Sequence, residues 1–211
     1  MKSNPTPRLL IPLSFFLLFA CKQKGPELLL PVYGEKKLAG NDTVYHTIGD
    51  FKFINQYGEA VSKETVKNKI YVANFFFATC QSICPVMSTN LTELQKDFEK
   101  DDSLLILSHS VNPLHDTVAV LMNYANTYSA MKNKWHLLTG DKKQIYDLAK
   151  TSYLVNALED DGTPEGFLHS ELFLLIDKKG RIRGMYDGTD KAQVKKLEED
   201  IRLLKKENSG N

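Results

Sequence analysis

A continuous apolar run that ends directly before two cysteines constrains the fold most. Residues 70–78 read IYVANFFFA and lead into Thr-Cys-Gln-Ser-Ile-Cys-Pro, which places Cys80 and Cys84 four residues apart. An apolar run of β-branched and aromatic residues is typical of a central strand covered on both faces. Pro85 suits the first turn of a helix, where its missing N–H group is not needed. We therefore predict a buried strand, a tight loop holding Cys80, and a helix that begins near Cys84.

Strands and helices are predicted to alternate along the rest of the chain. Residues 50–62 alternate around the turn-like sequence Asn-Gln-Tyr-Gly, which predicts a hairpin. Asp116 or Thr117 is predicted to cap one helix, and Asp141 another. Helical spacing and short apolar runs predict the other elements, which are helices within 84–100, 116–129, 141–153 and 189–206 and strands within 103–111, 134–140, 170–177 and 182–188. This order predicts an α/β protein whose sheet a terminal hairpin makes mixed.

The N-terminus has the features of an export signal. Lys2 and Arg8 precede an apolar run of twelve residues, 9–20, which is too short to span a bilayer of about 20 helical residues but suits a secretory signal. The run ends at Cys21 in the sequence Leu-Leu-Phe-Ala-Cys, which resembles the lipobox of bacterial lipoproteins. We predict a signal peptide over residues 1–20 and a lipidated Cys21. The lipid would anchor the domain to a bacterial membrane, on the side that faces the periplasm. An uncleaved anchor or a plain signal peptide is the alternative.

Length and composition allow one globular domain with appendages. The chain has 211 residues, of which 42% are hydrophobic and 25% charged, and this is enough for a sizeable core. Residues 21–43 carry Pro, Gly and charges without clear periodicity and are predicted to form a lipid-anchored tether, followed by a folded domain over 44–207. The net charge of +1 gives no argument for a nucleic acid as partner.

Without Cys21, two cysteines remain in an oxidising compartment, where they could form a structural disulfide, work as a redox pair or bind a metal. Cys80 and Cys84 are expected at a helix N-terminus, where unpaired N–H groups and the helix dipole favour thiolate. Four residues make about one helical turn, so the two sulfurs can face the same side. A structural disulfide is disfavoured because it would close a very short loop, and the entropy gained from a cross-link grows with loop length.

A metal would need further ligands, and the chain has five histidines. His169 stands directly before a strongly apolar predicted strand. In a thioredoxin-like sheet the loop before that strand passes close to the cysteine helix. An imidazole there would complete a set of two sulfurs and one nitrogen, which suits Cu(I) and adapts to Cu(II). His109 and Met87 are predicted to pack in the core, and His115 to lie in a loop that could approach the site. Structural zinc is disfavoured because it usually takes four protein ligands.

Four segments, in the same order, resemble the Sco/SenC family of copper-binding, thioredoxin-fold proteins. Residues 75–91 contain the strand, the Cys-x-x-x-Cys-Pro loop and the helix, and residues 107–125 resemble the family's Ile-Ser-Val-Asp-Pro-x-Arg-Asp-Thr. Residues 135–140 match Trp-x-x-Leu-Thr-Gly, and residues 168–186 contain the histidine and the strand after it. The resemblance extends over roughly residues 48–190.

The resemblance implies an α/β fold with a thioredoxin-like mixed sheet flanked by helices and an added N-terminal hairpin. It implies that Cys80, Cys84 and His169 are copper ligands. It also implies a copper chaperone, which delivers copper to the CuA centre of cytochrome c oxidase during assembly. The chain departs from the family pattern at Asn112 and Leu168, where the family has acidic residues, and at His115, where it has arginine.

Two other functions stay open. The chain could be an envelope thiol–disulfide oxidoreductase that reduces another protein's copper-ligand cysteines. His169 favours copper binding over this function, because thioredoxin-type oxidoreductases place a cis-proline in that neighbourhood. A peroxiredoxin-like peroxidase would need a threonine three residues before the cysteine, whereas Thr79 is adjacent to Cys80. Copper delivery and thiol reduction need the same reduced pair, so these two functions do not exclude each other.

Overall fold

The computed structural model describes Met1 and residues 30–40, 42–155 and 170–209. In these residues it contains nine strands and four helices. The strands are β1 (Lys36–Ala39), β2 (Asp42–Tyr45), β3 (Lys52–Asn55), β4 (Ala60–Ser62), β5 (Ile70–Phe76), β6 (Leu104–Ser110), β7 (Trp135–Thr139), β8 (Leu172–Ile176) and β9 (Ile182–Asp187). The helices are α1 (Ile83–Asp97), α2 (Val118–Thr127), α3 (Lys142–Thr151) and α4 (Lys191–Ser209).

Seven strands form one mixed sheet in the order β4-β3-β7-β6-β5-β8-β9. The three central strands β7, β6 and β5 run parallel, and the strands on either side of them are antiparallel to their neighbours. The hairpin of β3 and β4 and the terminal hairpin of β8 and β9 both appear where the sequence pattern predicts them. The predicted α/β class with a mixed sheet and an added N-terminal hairpin is therefore confirmed.

The central strands are buried along their whole length. Every residue of β5 and β6 is buried, as expected for apolar runs covered on both faces. Helix α1 packs on this sheet through Met87, Leu91 and Leu94, which recur at helical spacing and are fully buried. Because β5 and β6 are parallel, their carboxyl ends meet at one edge, where Phe76 is paired with Ser110. The loops that follow the two strands therefore lie side by side.

Residues 36–39 and 42–45 form a second small sheet, within and just beyond the range assigned to the tether. Strands β1 and β2 pair antiparallel, and Lys36 and Arg181 both lie over the ring of Tyr45. Most of this hairpin is exposed, so it lacks the apolar alternation that identifies a half-buried strand in a sequence. Backbone pairing and cation–π contacts hold it instead, which is why the sequence pattern did not predict it.

Contacts with the sheet begin before the hairpin. Tyr33 N–H donates to the carbonyl of Ile182 at 2.9 Å. The guanidinium of Arg183 donates to the carbonyls of Leu30 and Pro31, at 2.7 and 3.0 Å. Arg183 is buried, and its charge is balanced by Asp177, directly after β8, and by Glu207 in α4. A buried charge is tolerated only when it is paired, and the two carboxylates hold the guanidinium in place. Its hydrogen bonds to Leu30 and Pro31 therefore fix where the N-terminal segment joins the domain.

Residues 2–20 of the predicted signal peptide and Cys21 lie outside the described residues. Within residues 30–40, 42–155 and 170–209, no helix is long and apolar enough to cross a membrane.

His109 lies in the core on β6, as predicted. Its ring stacks on Phe75 and meets the rings of Phe51 and Phe53 edge-on. Within the described part of the chain, neither ring nitrogen has a hydrogen-bond partner. Burial lowers the pKa of His109 to about 3, because a charged imidazole would lose its hydration there. The side chain is therefore a neutral aromatic whose two polar atoms cost stability.

We expect His109→Phe to stabilise the domain, most strongly in acid. An unfolded histidine has a pKa of about 6.5, so between that pH and about 3 the unfolded chain binds a proton that the folded chain does not. His109 thus removes stability as the pH falls through this window, by up to about 1.4 kcal/mol per pH unit. Urea unfolding of parent and variant at pH 7 and pH 5 measures the difference. An identical pH dependence in both proteins would contradict the account.

Candidate metal centre

The two cysteines lie where β5 gives way to α1. We call residues 77–82 the cysteine loop. The Cys80 N–H donates to the carbonyl of Phe77 at 3.2 Å, which tightens this loop. Cys84 lies in the first turn of α1, and its backbone N–H donates to the Cys80 sulfur at 3.5 Å. The predicted strand, loop and helix around Cys80 and Cys84 are thus confirmed.

The sulfur of Cys80 takes the place of a helix cap. Ser82 is the residue preceding α1, but its side chain makes no capping hydrogen bond. The first N–H groups of a helix need acceptors from outside the helix, and the Cys80 sulfur serves the N–H of Cys84. The Ser82 hydroxyl lies 3.6 Å from the same sulfur. A sulfur in this position is stabilised as a thiolate by the helix N-terminus.

Cys80 and Cys84 are free cysteines, and both are buried. Cys80 is 6% and Cys84 2% exposed. A hydrogen bond from the Cys84 thiol lowers the pKa of Cys80 to about 4, although burial opposes this. The same hydrogen bond, together with burial, raises the pKa of Cys84. The pair therefore holds one proton at neutral pH, on Cys84, and Cys80 is a thiolate ready to bind a soft metal or attack a disulfide.

The chain position next to His169 lies against Cys84. His169 itself is outside the described residues, but Ser170 is buried and described. A cavity of about 10 Å³ is lined by Ser170 together with Cys84, Val111 and neighbouring residues of β5 and α1. Strand β8 runs antiparallel to β5, so the residues before β8 lead to the edge of the sheet that carries the cysteine loop. Ser170 thus lies at the same edge of the sheet as Cys84.

A buried carboxylate braces the cysteine loop from the neighbouring loop, residues 111–117. Asp116 is fully buried, and its Oδ2 accepts hydrogen bonds from the N–H of Ala78 at 3.1 Å and the hydroxyl of Ser110 at 2.6 Å. Its Oδ1 accepts from Nδ1 of His115 at 2.9 Å. The negative charge of Asp116 also contributes to raising the pKa of Cys84. The loop after β6 is thus tied to the loop after β5.

Of the two residues predicted as the cap of α2, Thr117 is confirmed, because it accepts from the N–H of Val120 at 3.4 Å. The alternative, Asp116, does not cap the helix. Asp141 does cap α3, where it accepts from the N–H of Gln144. The sequence signal for a cap is the same at both aspartates, and only the three-dimensional arrangement turns Asp116 inward. The similarity of residues 107–125 to a family segment was the one signal that this stretch has a further role.

The described residues supply two of the predicted metal ligands. Met87 is buried in the core, as predicted, and Cys21 lies outside the described residues. In the described part of the chain, no group of three or more His, Cys, Asp or Glu side chains is placed to hold one ion. The thiol pair is chemically suited to copper, since thiolates are the soft ligands that Cu(I) selects. A complete site would need a donor from elsewhere in the chain.

Comparisons with known proteins point to one family. A model of the SCO1/SenC family matches residues 39–205. A SCO1/SenC family lipoprotein from Bacillus anthracis superimposes with a TM-score of 0.68 and 29% identity, over 75% of this chain and 95% of that one. BsSco, a member of the Sco family of cytochrome c oxidase assembly proteins with an identified disulfide switch, gives 0.66 and 28%, over 75% and 93%. ScoI from Bradyrhizobium japonicum with copper bound gives 0.62 and 25%, over 75% and 99%. These likenesses confirm the thioredoxin-like fold.

The coupling between the thiols predicts how Cys80 reacts. In a Cys21→Ser background, Cys80 should react with iodoacetamide as a thiolate down to about pH 4, since that is where its pKa lies. Cys84→Ala removes the largest cause of this low pKa, so the midpoint should move up towards about 8.5, the value of a free cysteine. Ser82→Ala is the matched control and should move it much less. An unchanged midpoint in Cys84→Ala would show that the thiol hydrogen bond does not set the pKa.

Proposed function

Because the chain belongs to the SCO1/SenC family, we propose that it binds copper through Cys80, Cys84 and His169 and delivers the ion to the CuA centre of cytochrome c oxidase during assembly. The observation that carries the proposal is the pair of free cysteines at the start of α1, where the Cys84 thiol lowers the pKa of Cys80. Relatives support it, since ScoI from Bradyrhizobium japonicum has copper bound and BsSco belongs to a family of oxidase assembly proteins.

The geometry accounts for two of the three donors. Cys80 and Cys84 are one helical turn apart and already hydrogen bond to each other, so a single ion can replace the proton between them. Ser170 lines a cavity with Cys84, which supports a position for His169 within reach of the same ion. Copper is the cargo in this proposal. Two thiolates and one imidazole leave a position at which a recipient's ligand enters before the donor's ligands leave.

The same thiols support thiol–disulfide exchange as the second candidate function. The low pKa of Cys80 is the observation that favours it, because the thiolate is the attacking species in exchange. In this function Cys80 attacks a disulfide of the recipient, and Cys84 then resolves the mixed disulfide. The two electrons pass to the recipient's sulfurs and leave a Cys80–Cys84 disulfide. Reduction of a recipient's copper-ligand cysteines would prepare it to accept the ion.

The proposal includes a membrane anchor at the N-terminus. Signal-peptide features over residues 1–20 and the lipobox-like sequence before Cys21 support processing to a lipidated cysteine. The similar Bacillus anthracis protein is a lipoprotein. In this arrangement the domain faces the periplasm and stays close to membrane-bound oxidase. Mass spectrometry of the mature N-terminus tests it, and an intact Met1 or an unlipidated product would contradict it.

Copper titration tests the ligand set. We expect the reduced chain to bind one Cu(I) in competition with a chromogenic chelator. Cys80→Ser or Cys84→Ser should nearly abolish binding, because a serine hydroxyl is a hard and mostly protonated ligand. His169→Ala should weaken binding and alter the Cu(II) absorption spectrum, while circular dichroism shows an unchanged fold. Cys21→Ser is the matched control, since it removes the third cysteine and should leave copper binding unchanged.

The outcomes separate the two functions. If His169→Ala binds copper like the parent, the third ligand is a different residue. If the parent binds no Cu(I) but its Cys80–Cys84 pair exchanges readily with disulfide substrates, the oxidoreductase function replaces copper delivery. If Cys21→Ser alone abolishes binding, the site is not in the folded domain.

A further inference from the structure

The imidazole of His115, which lies outside the thiol pair, is oriented by a buried carboxylate. The Nδ1 atom of His115 lies 2.9 Å from Oδ1 of Asp116. A carboxylate can only accept, so Nδ1 carries the proton, and the lone pair of the neutral ring is on Nε2. This is the arrangement found behind most metal-binding histidines, in which a carboxylate fixes the tautomer and the direction of the ring. From the sequence alone, His115 is only a loop residue that could approach the site.

Both oxygens of the Asp116 carboxylate are engaged in hydrogen bonds, one of which orients the ring of His115. Its carboxylate is fully buried, and Ala78 N–H and the Ser110 hydroxyl occupy its second oxygen. Ala78 precedes Cys80 by two residues, so one carboxylate links the imidazole to the backbone of the cysteine loop. The charge of Asp116 also acts on the Cys84 thiol. The imidazole therefore belongs to the surroundings of the thiol pair.

The His115 imidazole is accessible to solvent, whereas the two thiols are buried. The side chain of His115 is 49% exposed, whereas Cys80 and Cys84 are 6% and 2% exposed. The imidazole is therefore open to a ligand on another molecule, whereas the two sulfurs are almost completely covered. Within the described residues, His115 does not converge with both cysteines on one point, because no group of three such side chains does. His115 is placed beside the site and not as a third resident ligand.

We propose that His115 is the entry and exit ligand for copper, which holds the ion transiently between an outside ligand and the thiol pair. This inference rests on the proposed copper site at Cys80 and Cys84. On entry, Nε2 of His115 displaces one ligand of the incoming copper complex. The Cys80 thiolate then displaces the imidazole, and Cys84 displaces a remaining ligand of the incoming complex as its own proton leaves to solvent. Each step exchanges one ligand and the oxidation state of copper does not change. Exit is the reverse sequence, with the recipient's ligand taking the ion from His115.

A ligand that holds copper only in transit changes the rates of loading and removal but not the equilibrium affinity for copper. The experiment therefore measures both. The reduced full chain is mixed anaerobically with the coloured Cu(I)–bicinchoninate complex, and stopped-flow absorbance gives the loading rate. Excess bathocuproine disulfonate then gives the removal rate. His115→Ala should slow both by a similar factor, about tenfold, which corresponds to about 1.4 kcal/mol in the barrier. The equilibrium affinity and the final spectrum should match the parent's.

Leu114→Ala is the matched control. Leu114 precedes His115 in the same loop and is 87% exposed, but it has no atom that binds copper. It should load and release copper at the parent's rates. The inference is overturned if His115→Ala keeps the parent's rates, or if Leu114→Ala slows them equally, which would assign the effect to loop structure. It is also overturned if His115→Ala changes the affinity or the final spectrum, because His115 would then be a resident ligand. A parent that takes up no copper refutes the proposed function itself.

Discussion

The hydrogen bonding of the Cys80 sulfur is the interaction on which the site depends. This sulfur accepts the N–H of Cys84 at the open end of α1 and the proton of the Cys84 thiol. The first contact replaces a missing helix cap, and the second lowers the pKa of Cys80 to about 4. The start of α1 and the chemistry of the site are therefore set by the same atom. A metal ion or a disulfide that engages Cys80 alters both.

The sheet supports this arrangement from below. Buried strands β5 and β6 run parallel, so the loops after them lie side by side, and Asp116 joins the two loops. Strand β8 is antiparallel to β5 and leads the residues before it to the same edge. Three separate parts of the sequence thus meet at the carboxyl end of β5. The thiol pair is therefore positioned by the sheet and by the loops that Asp116 joins.

Much of the fold could be predicted from the sequence because its signals are strong and local. The apolar run before Cys80, Pro85 in the first helical turn and the alternation of strands with helices all appear as expected. The exposed hairpin of β1 and β2 and the carbonyl contacts of Arg183 could not be predicted, since backbone groups and long side chains make them without any apolar pattern.

The site was predictable only in part for a similar reason. The positions of Cys80 and Cys84 follow from the strand, the proline and the helix, and His169 was chosen by its place before a strand. Asp116 has the sequence signal of a helix cap but is turned inward to Ala78 and Ser110. Contacts between loops that are distant in sequence carry no periodicity, so the bracing carboxylate and the imidazole it orients appear only in three dimensions.

X-ray absorption spectroscopy of the Cu(I)-loaded chain tests the central claim most directly, because it counts the atoms bound to copper. We expect two sulfur neighbours and one nitrogen neighbour. Copper surrounded by nitrogen and oxygen alone would contradict it, since the coupled thiol pair would then not be the binding site.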